Sequence, residues 1–192
     1  MSNIAIKGAA TGSGTFTLEA PATSTNRTLT LPDEAGTIDT LQRAGNVLQV
    51  VNVATGAVAT GTTIIPGDDT IPQITEGDQY MSLAITPTSA TSLIEVAVVV
   101  NFSRSAGSQN ITALFRDAVP DALAVVSLGN ATDFLNSQSL IFVMTSGTTS
   151  EITFRVRLGG AQTGTHTFNG QGGSRRFGGK SNSSITIKEY AA

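Results

Sequence analysis

Residues 93–102 read LIEVAVVVNF, and this stretch decides the fold. Every second side chain from Ile94 to Phe102 is apolar, which is the period of a β-strand. The intervening positions, among them Leu93 and Val99, are also largely apolar. A strand with two apolar faces is typical of one that is covered on both sides, so we expect this stretch to be buried within a sheet. The alternative is that one face belongs to the core of the monomer and the neighbourhood of the other to an interface between subunits.

Strand patterns recur along the rest of the chain at short spacing. Turns rich in Gly, Pro, Asn and Ser separate them, and no long helices alternate with them. The other predicted strands cover residues 47–53, 80–85, 111–115, 122–128, 140–144, 151–158 and 184–190. We expect 111–115 and 122–128 to pair. The pattern predicts an all-β fold, a jelly-roll-like antiparallel β-sandwich, with one helical turn at residues 131–137.

The first 45 residues form a separate predicted unit. Residues 15–19 (TFTLE) and 27–31 (RTLTL) alternate like strands of a β-hairpin. Two short strands are not stable alone in water, so this hairpin must lie on the body of the protein, a sister chain or a partner. We therefore predict a docking module at 1–45, appended to a sandwich domain at 46–192. The predicted docking side chains are Phe16, Leu18, Leu29 and Leu31.

The composition excludes several classes of protein. Apolar residues make up 40% of the chain and charged residues only 13%, about half the usual charged share. A coiled coil, a helix bundle and a charge-rich disordered chain are excluded. The net charge of −3 argues against nucleic-acid binding. We expect no membrane insertion, because no apolar run approaches the ~20 residues that span a bilayer, and no signal peptide.

Catalytic and metal-binding motifs are weak in this sequence. There is no Cys and one histidine, His166, which is predicted to lie on a strand in a structural role. An alternative places His166 on a threefold axis, where symmetry mates could share an ion. Residues 174–181 (SRRFGGKS) resemble a phosphate loop, but a strand follows them instead of a helix, so we interpret them as a connecting loop. We predict no enzyme activity, no cofactor and no metal.

Two groups of charged residues leave alternatives open. Four carboxylates lie close together in the sequence, and we interpret them as solvated loops instead of a calcium site. They are Asp68, Asp69, Glu76 and Asp78. Arg155 and Arg157 on one strand could form a basic patch for an acidic partner or a surface glycan, together with Arg175 and Arg176 of the glycine-rich loop. Such arginines are more often solvated or paired across strands.

Two loops are candidates for surface contacts. Residues 103–110 and 169–183 are rich in Gly, Ser and Asn, which give adaptable hydrogen bonding. They are predicted to form an outward-facing tip. The candidate surface-binding residues are Arg175, Arg176, Asn169 and Gln109.

Parts of the sequence resemble structural proteins of tailed bacteriophages. Residues 8–23 (GAATGSGTFTLEAPAT), continuing through 26–33 (NRTLTLPD) and 35–37 (AGT), resemble a β module that recurs in tail fibres. The C-terminal half is similar to small terminal domains of such proteins. The pieces that carry this second resemblance are residues 85–92 (ITPTSATS), 113–117 (ALFRD), 177–179 (FGG) and 184–190 (SITIKEY). Together the pieces cover about half of the chain.

The resemblance implies a virion component that assembles as a homotrimer in the host cytoplasm. It implies attachment or scaffolding in place of catalysis. The expected form is a short tail fibre or receptor-binding protein, because the long shaft of larger fibres is missing. Its partners would be other virion proteins of tail or capsid, and a bacterial surface glycan or protein. A capsid decoration protein is the main alternative, and a polysaccharide depolymerase is the third.

Overall fold

The computed structural model describes residues 44–192 and, before them, Thr11, Ser13, Thr17, Ala22 and residues 24–26. The chain divides into two units, Met1–Ile38 and Asp39–Ala192, and the architecture below is that of the second. The predicted hairpin lies outside the described residues, and so do its docking side chains Phe16, Leu18, Leu29 and Leu31. The docking module therefore stays a prediction.

The described part of the chain is built of strands, with one short 3-10 turn at Phe177–Gly179. It contains no helix long and apolar enough to cross a membrane. The strands are β1 (Val47–Thr55), β2 (Ala59–Gly61), β3 (Asp78–Ile85), β4 (Leu93–Arg104), β5 (Ser108–Arg116), β6 (Ala124–Asn130), β7 (Asn136–Thr145), β8 (Ile152–Gly160), β9 (His166–Phe168), β10 (Gly170–Gln171), β11 (Ser174–Arg175) and β12 (Ser183–Tyr190).

Eight of these strands form two facing four-stranded sheets. One sheet has the order β1-β12-β4-β7, and the other has the order β3-β8-β5-β6. The chain passes from one sheet to the other at β3, β4, β5, β7, β8 and β12, which is the winding of a jelly roll. The predicted all-β sandwich is confirmed, and so is the pairing of β5 with β6. Short strands β9 and β2 extend the first sheet beside the last residues of β4.

Strand β4 supplies the centre of the core. Its side chains from Ile94 to Phe102 alternate into the space between the sheets and are almost fully buried. Phe154, Val156 and Leu158 of β8 face them from the second sheet. The alternation of both strands follows the sequence pattern, because two inner faces that interdigitate exclude water from every second side chain.

The outer side of β4 differs from the prediction. Leu93 is 41% exposed and Val99 is 38% exposed, so this strand is not covered on both sides. The apolar pattern is there, but no described part of the chain packs over it. We call the outer surface of β1-β12-β4-β7 the open face.

The opposite outer surface, that of β3-β8-β5-β6, is covered by the chain itself. A second apolar cluster lies here, formed by Ile65 with Ile111, Ala113 and Phe115 of β5. Residues 62–77, the connection between β2 and β3, lie over this sheet and are held by a backbone hydrogen bond from Ile65 to the carbonyl of Gly160. We call residues 62–77 the cover loop and this surface the covered face.

Two local predictions are wrong. Residues 131–137 do not form a helical turn, because Asp133 has a positive φ of 58° and β7 begins at Asn136. The backbone N–H of Asp133 donates to the carbonyl of Arg104, which fixes a tight turn instead. The predicted loop at 103–110 is mostly strand, since β4 continues to Arg104 and β5 begins at Ser108.

Candidate functional site

His166 is a structural residue inside the sandwich. It lies on β9 and is only 1% exposed, and its Nε2 is 3.0 Å from Oδ1 of Asn110 on β5. Burial, with a smaller effect of the nearby Arg104, lowers the pKa of His166 to about 4, and Asp78 opposes this shift. The ring is therefore neutral near pH 7. The structural interpretation is confirmed, and the alternative of an ion shared by His166 on a threefold axis is wrong because the ring is enclosed.

Arg104 is a buried arginine that the sequence analysis missed. Its guanidinium donates to three backbone carbonyls, those of Ala106, Gln162 and Thr163. Burial lowers its pKa. The signal for its burial is its register, since Arg104 follows Phe102 at the spacing of the inward-facing positions. The side chain fastens the loop before β9 to the end of β4.

Asn169 is not a surface-binding residue, so this prediction is wrong. Its side chain is fully buried, and its Nδ2 donates to the carbonyls of Thr55 at 2.7 Å and Ala57 at 3.1 Å. Its Oδ1 accepts a hydrogen bond from Ser183. The φ of 56° at Asn169 is one that asparagine adopts more readily than most residues. Asn169 therefore joins the turn after β1 to the start of β12.

The other three candidate surface residues are exposed but do not form one site. Arg175 ends β11 and Arg176 precedes the 3-10 turn, beside the exposed ring of Phe177. Gln109 lies on β5, in a shallow groove against Gly67 and Asp68 of the cover loop. No residue from 169–183 lines that groove. Arg175 and Arg176 therefore belong to one surface and Gln109 to another.

Residues 174–181 do not build a phosphate site. Strand β11 and the 3-10 turn occupy this stretch in place of a helix. Gly178 and Gly179 both have positive φ values, as turn residues do. The interpretation of this stretch as a connecting loop is confirmed.

The four neighbouring carboxylates do not converge. Asp68 accepts hydrogen bonds from Thr70, which lower its pKa, and Glu76 accepts one from the backbone of Gln73. Asp78 accepts from Thr63. Within residues 44–192 no group of acidic or histidine side chains is placed to hold a metal ion. Each of these three carboxylates thus binds a different part of the cover loop.

Arg155 and Arg157 bind backbone carbonyls of the covered face and do not form a basic patch. Arg157 donates to the carbonyls of Glu76 and Gly77 at the end of the cover loop, both at 2.8 Å. Arg155 donates to the carbonyl of Asp117 at 2.9 Å. Both arginines are therefore paired with loop carbonyls, and not with side chains on neighbouring strands as the sequence predicted.

The open face carries several exposed apolar side chains. Ile141 and Val143 of β7 are 70% and 53% exposed. They lie beside Ala97 and Glu95 of β4 in the register of the two strands. Together with Leu93 and Val99 they form an apolar stripe along β4 and β7. Isolated exposed apolar residues are ordinary, but a contiguous stripe on a sheet marks a contact surface.

The open face carries one ion pair, which neutralises itself. Lys188 Nζ lies 2.9 Å from Glu95 Oε1, and Tyr190 Oη lies 3.3 Å from the other carboxylate oxygen. The hydrogen bond from Lys188 lowers the pKa of Glu95, and the same bond raises the pKa of Lys188. Both side chains are charged near pH 7, and their charges cancel.

No protein-family model matches this chain, and no curated protein matches it significantly. Several solved structures are similar to this chain at low sequence identity. "Eiger TNF from S. frugiperda" is 11% identical, with 74% of this chain and 93% of that chain covered at a TM-score of 0.43. A structure of infectious bursal disease virus, Gx strain, is 9% identical, with coverages of 87% and 41% and a TM-score of 0.38.

A third similar structure comes from a bacteriophage. The enzymatically active domain of the "CBA120 tailspike protein 4" is 12% identical, with 62% of this chain and 18% of that chain covered at a TM-score of 0.28. All three similarities lie at TM-scores below 0.5, so they carry no argument about what this chain does.

Proposed function

We propose that this chain is a structural protein of a tailed-bacteriophage particle, a short trimeric tail fibre or receptor-binding component. One observation carries the proposal: a segment that resembles the N-terminal β module of tail fibres precedes a jelly-roll domain. Jelly rolls are common in viral capsid proteins, although the fold alone does not define a function.

The two units have different roles in this proposal. Residues 1–45 dock onto the particle by strand pairing and apolar contact, through Phe16, Leu18, Leu29 and Leu31. The jelly-roll domain forms the outward end. Arg175 and Arg176, exposed at the end of β11 and just after it, offer hydrogen bonds and positive charge to a bacterial surface glycan or protein. Contacts that are weak singly gain strength by repetition on a trimer.

The docking role is tested by substitutions within the full-length chain. Leu29→Asp with Leu31→Asp removes one apolar face of the predicted strand, and we expect incorporation into particles to fall at least about tenfold, since each change exposes a charge to an apolar contact. The control, Thr28→Asp with Thr30→Asp, adds the same charge to the opposite face. Incorporation is measured by quantitative immunoblotting of purified particles.

Two results of this experiment contradict the proposal. One is normal incorporation of the leucine variant, which removes the docking role of residues 1–45. The other is absence of the wild-type chain from purified particles, which removes the virion assignment. The copy number of the wild-type chain separates the two virion locations: tens of copies at the tail support a fibre, and hundreds on the head support capsid decoration instead.

A further inference from the structure

The open face has the composition of a contact between like molecules. Its apolar stripe is formed by Leu93, Val99, Ile141 and Val143. Its ion pair, Glu95 with Lys188, is neutral as a unit. A surface with a net charge repels a second copy of itself. The open face has no net charge, so two copies of it do not repel each other. Its chemistry therefore fits another copy of the same chain better than a charged partner.

Strand β7 adds an unprotected edge to this surface. Among the described residues it pairs with one strand only, β4. Its sequence, NSQSLIFVMT, contains no charged residue and no proline. Natural sheets normally protect long edge strands with lysine, proline or a bulge, because open edges attract other chains. An edge without such protection is acceptable where a partner covers it.

The size of the open face agrees with a specific contact between copies. Four strands about 4.8 Å apart and about eight residues long cover an area of about 500 Å². Two such surfaces bury about 1,000 Å² together, which is the lower range for specific protein–protein interfaces. A depression beside Leu93 and Val143, also lined by Tyr190 and Ala192, deepens the surface at one end.

We propose that the open face is where copies of this chain contact one another, with the β4–β7 stripe at the centre of the contact. The inference deepens the proposed function and rests on it only for the trimeric order of the assembly. In a trimer, three apolar stripes converge on one axis and the β7 edges are shielded by neighbouring copies. The covered face and the turn with Arg175 and Arg176 remain outside this contact.

Cysteine cross-linking tests the location of the contact directly. The chain contains no cysteine, so a single Ile141→Cys substitution places one thiol at the centre of the stripe. The control is Val125→Cys, which places a thiol on the outer side of β6 in the other sheet, at a position that is 44% exposed. Under mild oxidation, we expect a covalent dimer band on a denaturing gel for the first variant and little for the second. Equal cross-linking of both variants, or none at position 141, overturns the proposal.

A charge substitution tests whether the stripe holds the assembly together. Ile141→Glu with Val143→Glu places two carboxylates in the proposed contact, and we expect self-association to weaken about a hundredfold or more. Mass is measured by analytical ultracentrifugation, and circular dichroism establishes that the variant is folded. Val125→Glu with Ser127→Glu is the control, because both side chains lie on the outer side of β6, and it retains the wild-type mass. A monomeric wild type, or a charged variant that keeps the wild-type mass, overturns the proposal.

These outcomes are distinct from those that test the proposed function. If the chain is found in phage particles but position 141 does not cross-link, the contact surface is wrong and the virion role stands. If copies associate through the open face but the chain is absent from particles, the contact surface stands and the virion role is wrong.

Discussion

The two outer faces of the sandwich begin from similar apolar strands and end differently. On the covered face, Ile65 lies over Ile111 and Phe115 and is completely buried. On the open face, Ile141 is 70% exposed. The described part of the chain thus covers one sheet with its own loop and leaves the other uncovered. The difference fits the proposed division, in which the first surface contributes to the folding of one chain and the second to the association of several.

The cover loop is fixed at close contact by glycine. A Cβ added to Gly159 would lie 2.5 Å from the side chain of Ile65, and one added to Gly77, which has a φ of +65°, would lie 2.8 Å from it. Arg157 then holds the carbonyl of Gly77 from the strand below. Among the described residues, no such combination of close glycines and hydrogen bonds to backbone carbonyls holds a loop over Ile141.

The largest expected effect comes from removing the side chain that the loop buries. We expect Ile65→Ala to lower the free energy of unfolding by about 2–5 kcal/mol, because it leaves a cavity beneath the cover loop. Ile141→Ala is the matched change on the open face, and at a dilution where the chain is monomeric it should cost less than about 0.5 kcal/mol. Urea denaturation measures both. Equal costs would break the distinction between the two faces.

The next largest effect is a pH dependence of stability, which arises from His166 where it contacts Asn110 between the two sheets. The pKa of His166 is lowered to about 4 in the folded chain, whereas an unfolded histidine titrates near 6.5. The unfolded state therefore binds the proton first, and stability falls as the pH drops from about 6.5 towards 4. The loss is at most about 3 kcal/mol. Urea denaturation at several pH values measures it.

His166→Gln provides the comparison for this pH series. The glutamine variant keeps a hydrogen-bonding group but has no charge to acquire, so its stability should change less over the same pH interval. A variant with the same pH dependence as the wild type shows that other groups are responsible. If Gln at position 166 prevents folding, an NMR titration of the wild-type imidazole decides the question, and a pKa near 6.5 contradicts the prediction.

The smallest expected effect is on self-association, and it concerns the ion pair of the open face. Glu95→Gln leaves Lys188 unpaired and gives each copy a positive charge at the proposed contact. We expect self-association to weaken a few-fold at about 20 mM salt and to recover at about 300 mM, because salt screens repulsion between like charges. Adding Lys188→Met to the same chain restores neutrality and should remove the salt dependence. Sedimentation of the three chains at both salt concentrations measures this, and identical behaviour contradicts the neutrality argument.

The sequence predicts the strands well because their signal is local. The alternation in residues 93–102 and 151–158 depends only on neighbouring positions, and β4 and β8 follow it closely. The pattern cannot show whether the second apolar face of β4 is covered by a loop, by another molecule or by nothing. The exposure of Leu93 and Val99 therefore required the structure.

The candidate site residues were harder to predict because their surroundings come from distant parts of the chain. The buried side chain of Asn169 donates hydrogen bonds to the carbonyls of Thr55 and Ala57, which are more than a hundred positions away in the sequence. Arg104 is held by loop carbonyls that follow β8. Composition suggested adaptable surface loops at both places. Both polar residues are instead buried, and their long-range hydrogen bonds hold loops in place.

The position of β12 has a consequence for synthesis. This strand lies between β1 and β4, and it pairs with both along most of its length. Residues 183–190 thus form the middle of the sheet, and they leave the ribosome after β1 to β11 have done so. Until they emerge, β1 has no neighbour in its sheet and β4 lacks a partner on one side. The nascent polypeptide therefore stays incomplete until β12 has been synthesised, and this sheet closes only when that strand joins it.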